Sequence, residues 1–208
     1  MQIVKAGYEI LDELNGQAII KKIEKIARKC YKSEDKVTEG SAESMVRNLI
    51  KRGHEAMLEH FSFSVCFTVD RGVSHEIVRH RMASFAQEST RYCNYGKSGD
   101  VTFIRPCYFE EDSVELDRWL DSCMMAEKDY LTLLEMKRTP QEARAVLPNS
   151  LKTELVMTAN LREWRHFFKL RAVGVTGKPH PQMLEVAVPL LEEVKQLIPV
   201  VFDDLVCN

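Results

Sequence analysis

Arg79-His80-Arg81, followed at fixed intervals by Gln87, Ser89 and Arg91 within VRHRMASFAQESTRY, is the densest polar cluster in the sequence. Three cations in succession repel one another. They suit a surface or an anion, and the planar donor fork of arginine matches phosphate oxygens. A helix through the whole segment would place His80, Ser84, Gln87 and Arg91 on one face and Val78, Met82 and Phe85 on another. A helix followed by a loop is the alternative, and a solvated charged turn is the plainest reading of R-H-R alone.

A second cluster is TANLREWRHFFKLR, with Asn160, Arg162, His166 and Arg171. Arg162 and His166, four apart, share a helix face, whereas Leu161, Trp164, Phe167, Phe168 and Leu170 supply the packing side. Arg144, just ahead of Leu147-Pro148, is a further candidate cation. The segment His54-Glu55-Ala56-Met57-Leu58-Glu59-His60 carries two His and two Glu, but its order is not the H-E-x-x-H that puts two His on one helix face. No metal is expected. Pro106-Cys107 could suggest a cysteine nucleophile, yet no surrounding His and Asn pattern supports activation, so Cys107 reads as a bystander.

The elements that must position these residues read as an α+β fold. Strands are expected over 1–8, 61–70, 101–104 and 153–160, from alternation and β-branched or aromatic content. Helices are expected over 16–31 with Ile19, Ile23, Ile26 and Cys30 on one face, and over 40–53, 73–81, 113–137, 161–171 and 182–198. Arg71-Gly72 reads as a turn, Thr139-Pro140 as the stop of the long helix, and 174–181 as a loop. No repeat or linker divides the chain, which predicts a single domain of 208 residues.

Hydrophobic residues make up 45% and charged residues 29%, which excludes a disordered or fibrous chain. The net charge of −2 gives no global pull toward nucleic acid or anionic membrane, and Glu76 and Glu88 lie inside the basic patch. No nucleic-acid or membrane partner is expected. The N-terminal MQIVKAGYEI lacks the features of a secretory signal, and the six scattered cysteines read as reduced thiols, mostly core filler. The expected location is the cytoplasm.

Taken together, the clusters resemble the flavin-dependent thymidylate synthases, whose signature is R-H-R, seven residues, then Ser, met here by Arg79-His80-Arg81 and Ser89. The G-H-x-x-x-x-E-H-F-x-F stretch at 53–63, Arg144 to Leu147-Pro148, the N-L-R-E-x-x-H-F-x-x-L-R run at 160–171 and P-x-x-F at 199–202 follow in the family's order. The resemblance implies a methyltransferase of nucleotide biosynthesis that makes dTMP from dUMP without a cysteine nucleophile. Its carbon donor would be 5,10-methylenetetrahydrofolate, and its hydride would come from FAD reduced by NADPH. It also implies a homotetramer, each subunit an α+β domain with a central mixed or antiparallel sheet and flanking helices, whose active sites are shared between subunits.

By the same resemblance, His54, Arg79, His80, Arg81, Gln87, Asn160, Leu161, Arg162 and His166 correspond to FAD contacts. Glu76, Arg79, Gln87, Glu88, Ser89, Thr90, Arg91, Arg144 and Arg171 correspond to dUMP contacts. Arg171 matches the residue thought to favour ionisation at the pyrimidine N3 edge, which would make ring carbon 5 a better nucleophile. Three departures stand out: Ala56 replaces the usual Ser or Thr, Gln87 stands where many members have Glu, and Gln182 to Glu185 is spaced one residue longer than in some relatives.

Overall fold

The structure, a computed structural model, describes residues 1–207. It contains six strands: β1 (Gln2–Val4), β2 (Gly7–Ile10), β3 (Ser62–Asp70), β4 (Ala83–Gln87), β5 (Thr102–Ile104) and β6 (Lys152–Asn160). Its helices are α1 (Gly16–Tyr31), α2 (Ser41–Lys51), α3 (Arg71–Ile77), α4 (Tyr95–Ser98), α5 (Val114–Glu135), α6 (Pro140–Ala143), α7 (Leu161–Phe168) and α8 (Pro181–Leu197). The strand order in the four-stranded sheet is β2-β3-β6-β4, and β1 pairs in parallel with β5 in register Ile3↔Phe103. The α+β expectation holds.

Two of the strands run straight into helices. Asp70 ends β3 and caps α3, its Oδ1 accepting from Val73 N at 2.7 Å. Asn160 ends β6 and caps α7, its Oδ1 accepting from Glu163 N at 2.9 Å. In each case a short side-chain oxygen satisfies a first-turn N–H that the helix itself cannot.

The chain forms two compact units from interleaved segments. One comprises Met1–Tyr8, Cys66–Arg79 and Phe85–Val156; the other comprises Glu9–Val65, His80–Ser84 and the chain from Met157 onward. In the first, Val101, Phe103, Cys123, Tyr130, Ala143 and Leu151 form a buried cluster beneath α5. In the second, Phe63 stacks on Trp164 at 4.8 Å, and Phe167, Phe168 and Phe202 continue the aromatic core. Trp164 also donates its indole N–H to the Phe63 carbonyl at 3.2 Å, so the ring is buried without an orphaned donor.

Several expectations are corrected. The strand expected over 1–8 is two short strands, the first of them paired with β5. The turn at Arg71-Gly72 is the start of α3, because Asp70 supplies its cap. A helix through 79–91 does not form: α3 ends at Ile77, and β4 occupies 83–87 with an alternating exposure that fits a strand. Thr139-Pro140 starts α6, with Glu142 completing a capping box, since proline at the first helical turn sacrifices no internal hydrogen bond. On α1 the buried stripe runs through Ile19, Ile20, Ile23 and Ala27, leaving Cys30 exposed. The cysteines are free but are not mostly core filler, because Cys123 is buried while Cys30 and Cys107 are exposed.

A buried charge locks α7 in the second unit. Arg165 is 1% exposed, and its guanidinium donates to both carboxylate oxygens of Asp204, at 2.6 and 2.7 Å. Its Nε reaches Glu55 at 3.3 Å, and Nη1 also donates to the Val201 carbonyl. Burial pushes the Asp204 carboxyl up, but the hydrogen bonds and charge of Arg165 outweigh that and leave its pKa lowered. Stability from this pair is therefore present above the unfolded carboxylate pKa and is lost as pH falls through the lower folded value. Arg165→Ala strips both carboxylates of their partner and should cost about 3 kcal/mol, a fall in Tm of about 6–12 °C by differential scanning calorimetry near neutral pH.

Candidate active site

The predicted site residues divide between the two units. In the first, Gln87 at the end of β4 donates through Nε2 to Ser74 Oγ at 2.9 Å and Thr153 Oγ1 at 3.2 Å, so its amide is held by α3 and β6. The Glu88 carboxylate accepts from Tyr95 Oη at 2.7 Å and Lys152 Nζ at 3.4 Å. Burial, followed by the hydrogen bond to Glu88, raises the Tyr95 phenol well above its usual range, so it stays a donor.

Ser89 Oγ accepts from Arg91 N at 3.3 Å, which shapes the turn that carries the Arg91 guanidinium out over the Tyr92 ring. Arg144 donates to Thr90 Oγ1 at 2.9 Å, so two cations far apart in sequence, Arg91 and Arg144, attach to one short segment. Arg79 is exposed and Glu76 partly so at the end of α3. This side can bind an anion through Arg91 and Arg144 and hydrogen-bond a polar ring edge through Gln87 and Ser89.

In the second unit, a cavity of about 430 Å³ is walled by Asn160, Arg162, His166 and Lys169, with Glu55 and Glu59 opposite them in charge. The amphipathic reading of α7 holds: Arg162 and His166 share the exposed face, and Leu161, Trp164, Phe167 and Phe168 are buried. Leu161 contributes packing, and its backbone N–H donates to the Phe61 carbonyl at 3.0 Å. His54 lies beyond α2, where its Nδ1 meets Tyr31 Oη at 3.3 Å. Arg81 is exposed, and Met82 beside it lines the cavity.

His80 departs from the surface placement expected of the R-H-R triplet. It is buried, edge-on to Phe167 at 5.1 Å and to His166 at 5.4 Å. Burial, then the charges of Arg171 and His166, lower its pKa to about 4, so the ring is neutral near pH 7. Arg171 lies in a π-helical turn, Lys169–Val173, that continues α7. Gly174 closes that turn at φ +78°, with the Gly177 carbonyl and Pro179 each 2.9 Å from where a Cβ would sit.

The second unit's donor set suits a flavin dinucleotide. Arg162, Lys169, His166 and Asn160 offer cations and donors to a diphosphate and to polar ring edges. The Arg162–Glu59 pair, at 2.6 Å, leaves both side chains about half exposed, and such pairs are worth only about 0–1 kcal/mol, so a phosphate can displace the carboxylate at little cost. The cavity sits at the low end of the about 300–1,000 Å³ usual for ligand sites, room for part of a dinucleotide.

Residues that sequence reasoning passed over are Ser74, Tyr95, Lys152 and Thr153 around Gln87 and Glu88, and Glu163 beside His80. Ser74 on α3, Tyr95 at the start of α4, and Lys152 and Thr153 on β6 are scattered polar residues that carry no common spacing signal. Glu163 does stand inside the N-L-R-E run, where a carboxylate three positions from His166 passes for an ordinary helical ion-pair partner.

Comparison with known proteins accords with this geometry. Residues 11–200 match the family model described as thymidylate synthase complementing protein. The chain is 33% identical over 202 residues to the flavin-dependent thymidylate synthase of Corynebacterium aurimucosum, covering 88% of this chain and 78% of that one. It is 33% identical over 174 residues to the enzyme of the same name from Pyrococcus horikoshii, covering 80% and 70%. Its fold matches the UMP/dUMP methylase PolB of Streptomyces cacaoi, solved bound with 5-Br dUMP, at a TM-score of 0.81 and 24% identity over 98% of this chain and 96% of that one. The chain belongs to the flavin-dependent thymidylate synthase family.

Asn160 both caps α7 and lines the cavity. Asn160→Ala should lower stability by about 1 kcal/mol, a Tm fall of about 2–4 °C in flavin-free protein, whereas Asn160→Asp keeps the cap and should melt close to the parent.

Proposed function

We propose that this chain converts dUMP to dTMP by reductive methylation, with 5,10-methylenetetrahydrofolate as carbon donor, FAD as flavin and NADPH as its reductant. The observation that carries this reading is the family match across residues 11–200, with Arg79-His80-Arg81, Ser89, Arg144 and the 160–171 run all in place. Bound FAD would supply the hydride; Asn160, Leu161, Arg162 and His166, with His54, Arg79, His80, Arg81 and Gln87, would hold it.

The nucleotide would lie against Glu76, Arg79 and Gln87 through Arg91, with Arg91 and Arg144 taking the phosphate. Arg171 would stabilise negative charge as it develops on the pyrimidine and so raise the nucleophilicity of carbon 5. That electrostatic activation replaces covalent attack by a thiol. The 208 residues would act as one synthase domain of a cytoplasmic homotetramer. An interface is favoured by α5, which buries only Cys123 and Tyr130 among its 22 residues while Val114, Met124 and Met125 are exposed. No helix is long and apolar enough to cross a membrane among the described residues.

The test is dTMP formation from dUMP with methylenetetrahydrofolate, FAD and NADPH, followed by tritium release from ring-labelled dUMP. Flavin-loaded protein that releases no tritium would refute the reading. Arg171→Ala should lower turnover strongly, by about 100-fold or more, with flavin absorbance unchanged. Cys107→Ala should keep parental turnover, measured in the same assay.

A further inference from the structure

The burial of His80 between two exposed arginines requires a partner for each ring nitrogen. Nδ1 lies 3.2 Å from Glu163 Oε1, and Nε2 lies 3.3 Å from Arg171 Nε. An arginine Nε–H can only donate, so Nε2 must be the acceptor and Nδ1 must carry the proton, which the Glu163 oxygen accepts. The geometry of two heavy-atom contacts thus fixes the tautomer. Because the ring is neutral near pH 7, the Glu163 contact is a hydrogen bond to a carboxylate oxygen rather than an ion pair.

The chain of contacts runs from α7 back to α7's own continuation through a residue 83 positions away from Glu163. Glu163 is on the first turn of α7, Arg171 is in the π-helical turn that follows, and His80 bridges them. Phe167 and His166 pack edge-on against the imidazole and oppose its rotation. His80, Glu163 and His166 also offer ligand atoms within 4.8 Å of one another, the types that hold a transition metal. The Arg171 guanidinium, 3.3 Å from His80 Nε2, opposes a second cation there, and both nitrogens of His80 are already engaged.

We propose that Glu163 is a positioning residue for Arg171: by keeping the proton on His80 Nδ1, it leaves the Nε2 lone pair to hold the Arg171 guanidinium in place. This rests on the assignment of Arg171 to the dUMP ring. In Glu163→Ala only the Arg171 contact itself still favours the proton on Nδ1, whose N–H is left without its acceptor, and a proton that moves to Nε2 would confront the Nε–H of Arg171 and release the guanidinium. In Glu163→Gln the amide oxygen still accepts from Nδ1–H, so the relay survives.

The test combines a physical and a kinetic measurement on flavin-loaded protein. In the ¹⁵N spectrum of histidine-labelled protein, with the His80 signals identified by their loss in His80→Asn, the parent and Glu163→Gln should show a protonated Nδ1 and a bare Nε2. Glu163→Ala should move the proton wholly or partly to Nε2. A parent with its proton on Nε2, or an Ala variant unchanged from the parent, overturns the proposal whether or not the protein methylates dUMP. A parent that shows the expected tautomer but releases no tritium refutes the synthase reading instead.

Kinetically, Glu163→Ala should lower kcat about 10–100-fold with little change in KM for dUMP, and Glu163→Gln should recover most of it. Adding Glu163→Ala to Arg171→Ala should cost nothing further, because both act through the same guanidinium. Losses that multiply in the double variant would show that Glu163 acts elsewhere and overturn the proposal.

Discussion

The guanidinium of Arg165 is the constraint on which the second unit depends. A fully buried cation is tolerable only when its donors are matched, and here Glu55 from one stretch of chain and the Val201 carbonyl and Asp204 from another converge on it. Those contacts fix the rotation of α7 about its own axis. With Arg165 pointing into the interior, Arg162 and His166 must face the cavity and Glu163 must face His80. Hydrophobic packing of Trp164 and Phe168 alone would leave that rotation less sharply defined, since aromatic cores accept small slips that a bidentate fork does not.

Charge is balanced within each unit before any ligand arrives. Glu59 offsets Arg162, Glu55 lies 3.5 Å from Lys169, and Glu88 lies against Lys152. This explains how a chain with a net charge of −2 can gather so many cations at its motif segments. The exposed Arg162–Glu59 pair is cheap to open, so a phosphate arriving there would exchange one anion for another instead of filling an unsatisfied positive field. The buried contacts of His80 behave differently, because their partners are shielded from water and their geometry is directional.

Where periodicity was strong the fold was legible in the sequence. The alternation of 61–70, the β-branched run of 153–160 and the amphipathic stretches of α1 and α7 all form the elements expected of them. β4 was hidden because five residues in a basic segment give too few alternations to separate a strand from a helix. Pro140 misled because proline marks a helix start as readily as a stop. The motif cations were readable from type and spacing, but the burial of His80 was not, since flanking arginines argue for exposure. Glu163 escaped because its partner lies 83 positions away, and such a pairing exists only after folding.

The capped junctions at Asp70 and Asn160 carry a consequence for how the gene can change. Each residue is at once the last of a strand and the cap of a helix, so no spare residue lies between the two elements. Inserting a single residue after Asn160 would turn the sequence along α7 by about 100° relative to β6, carrying Arg165 out of its pocket and Arg162 away from the cavity. Substitutions at these junctions can be absorbed, but length changes cannot. Natural insertions and deletions should therefore concentrate elsewhere, in segments such as 174–180, where a loop separates one element from the next.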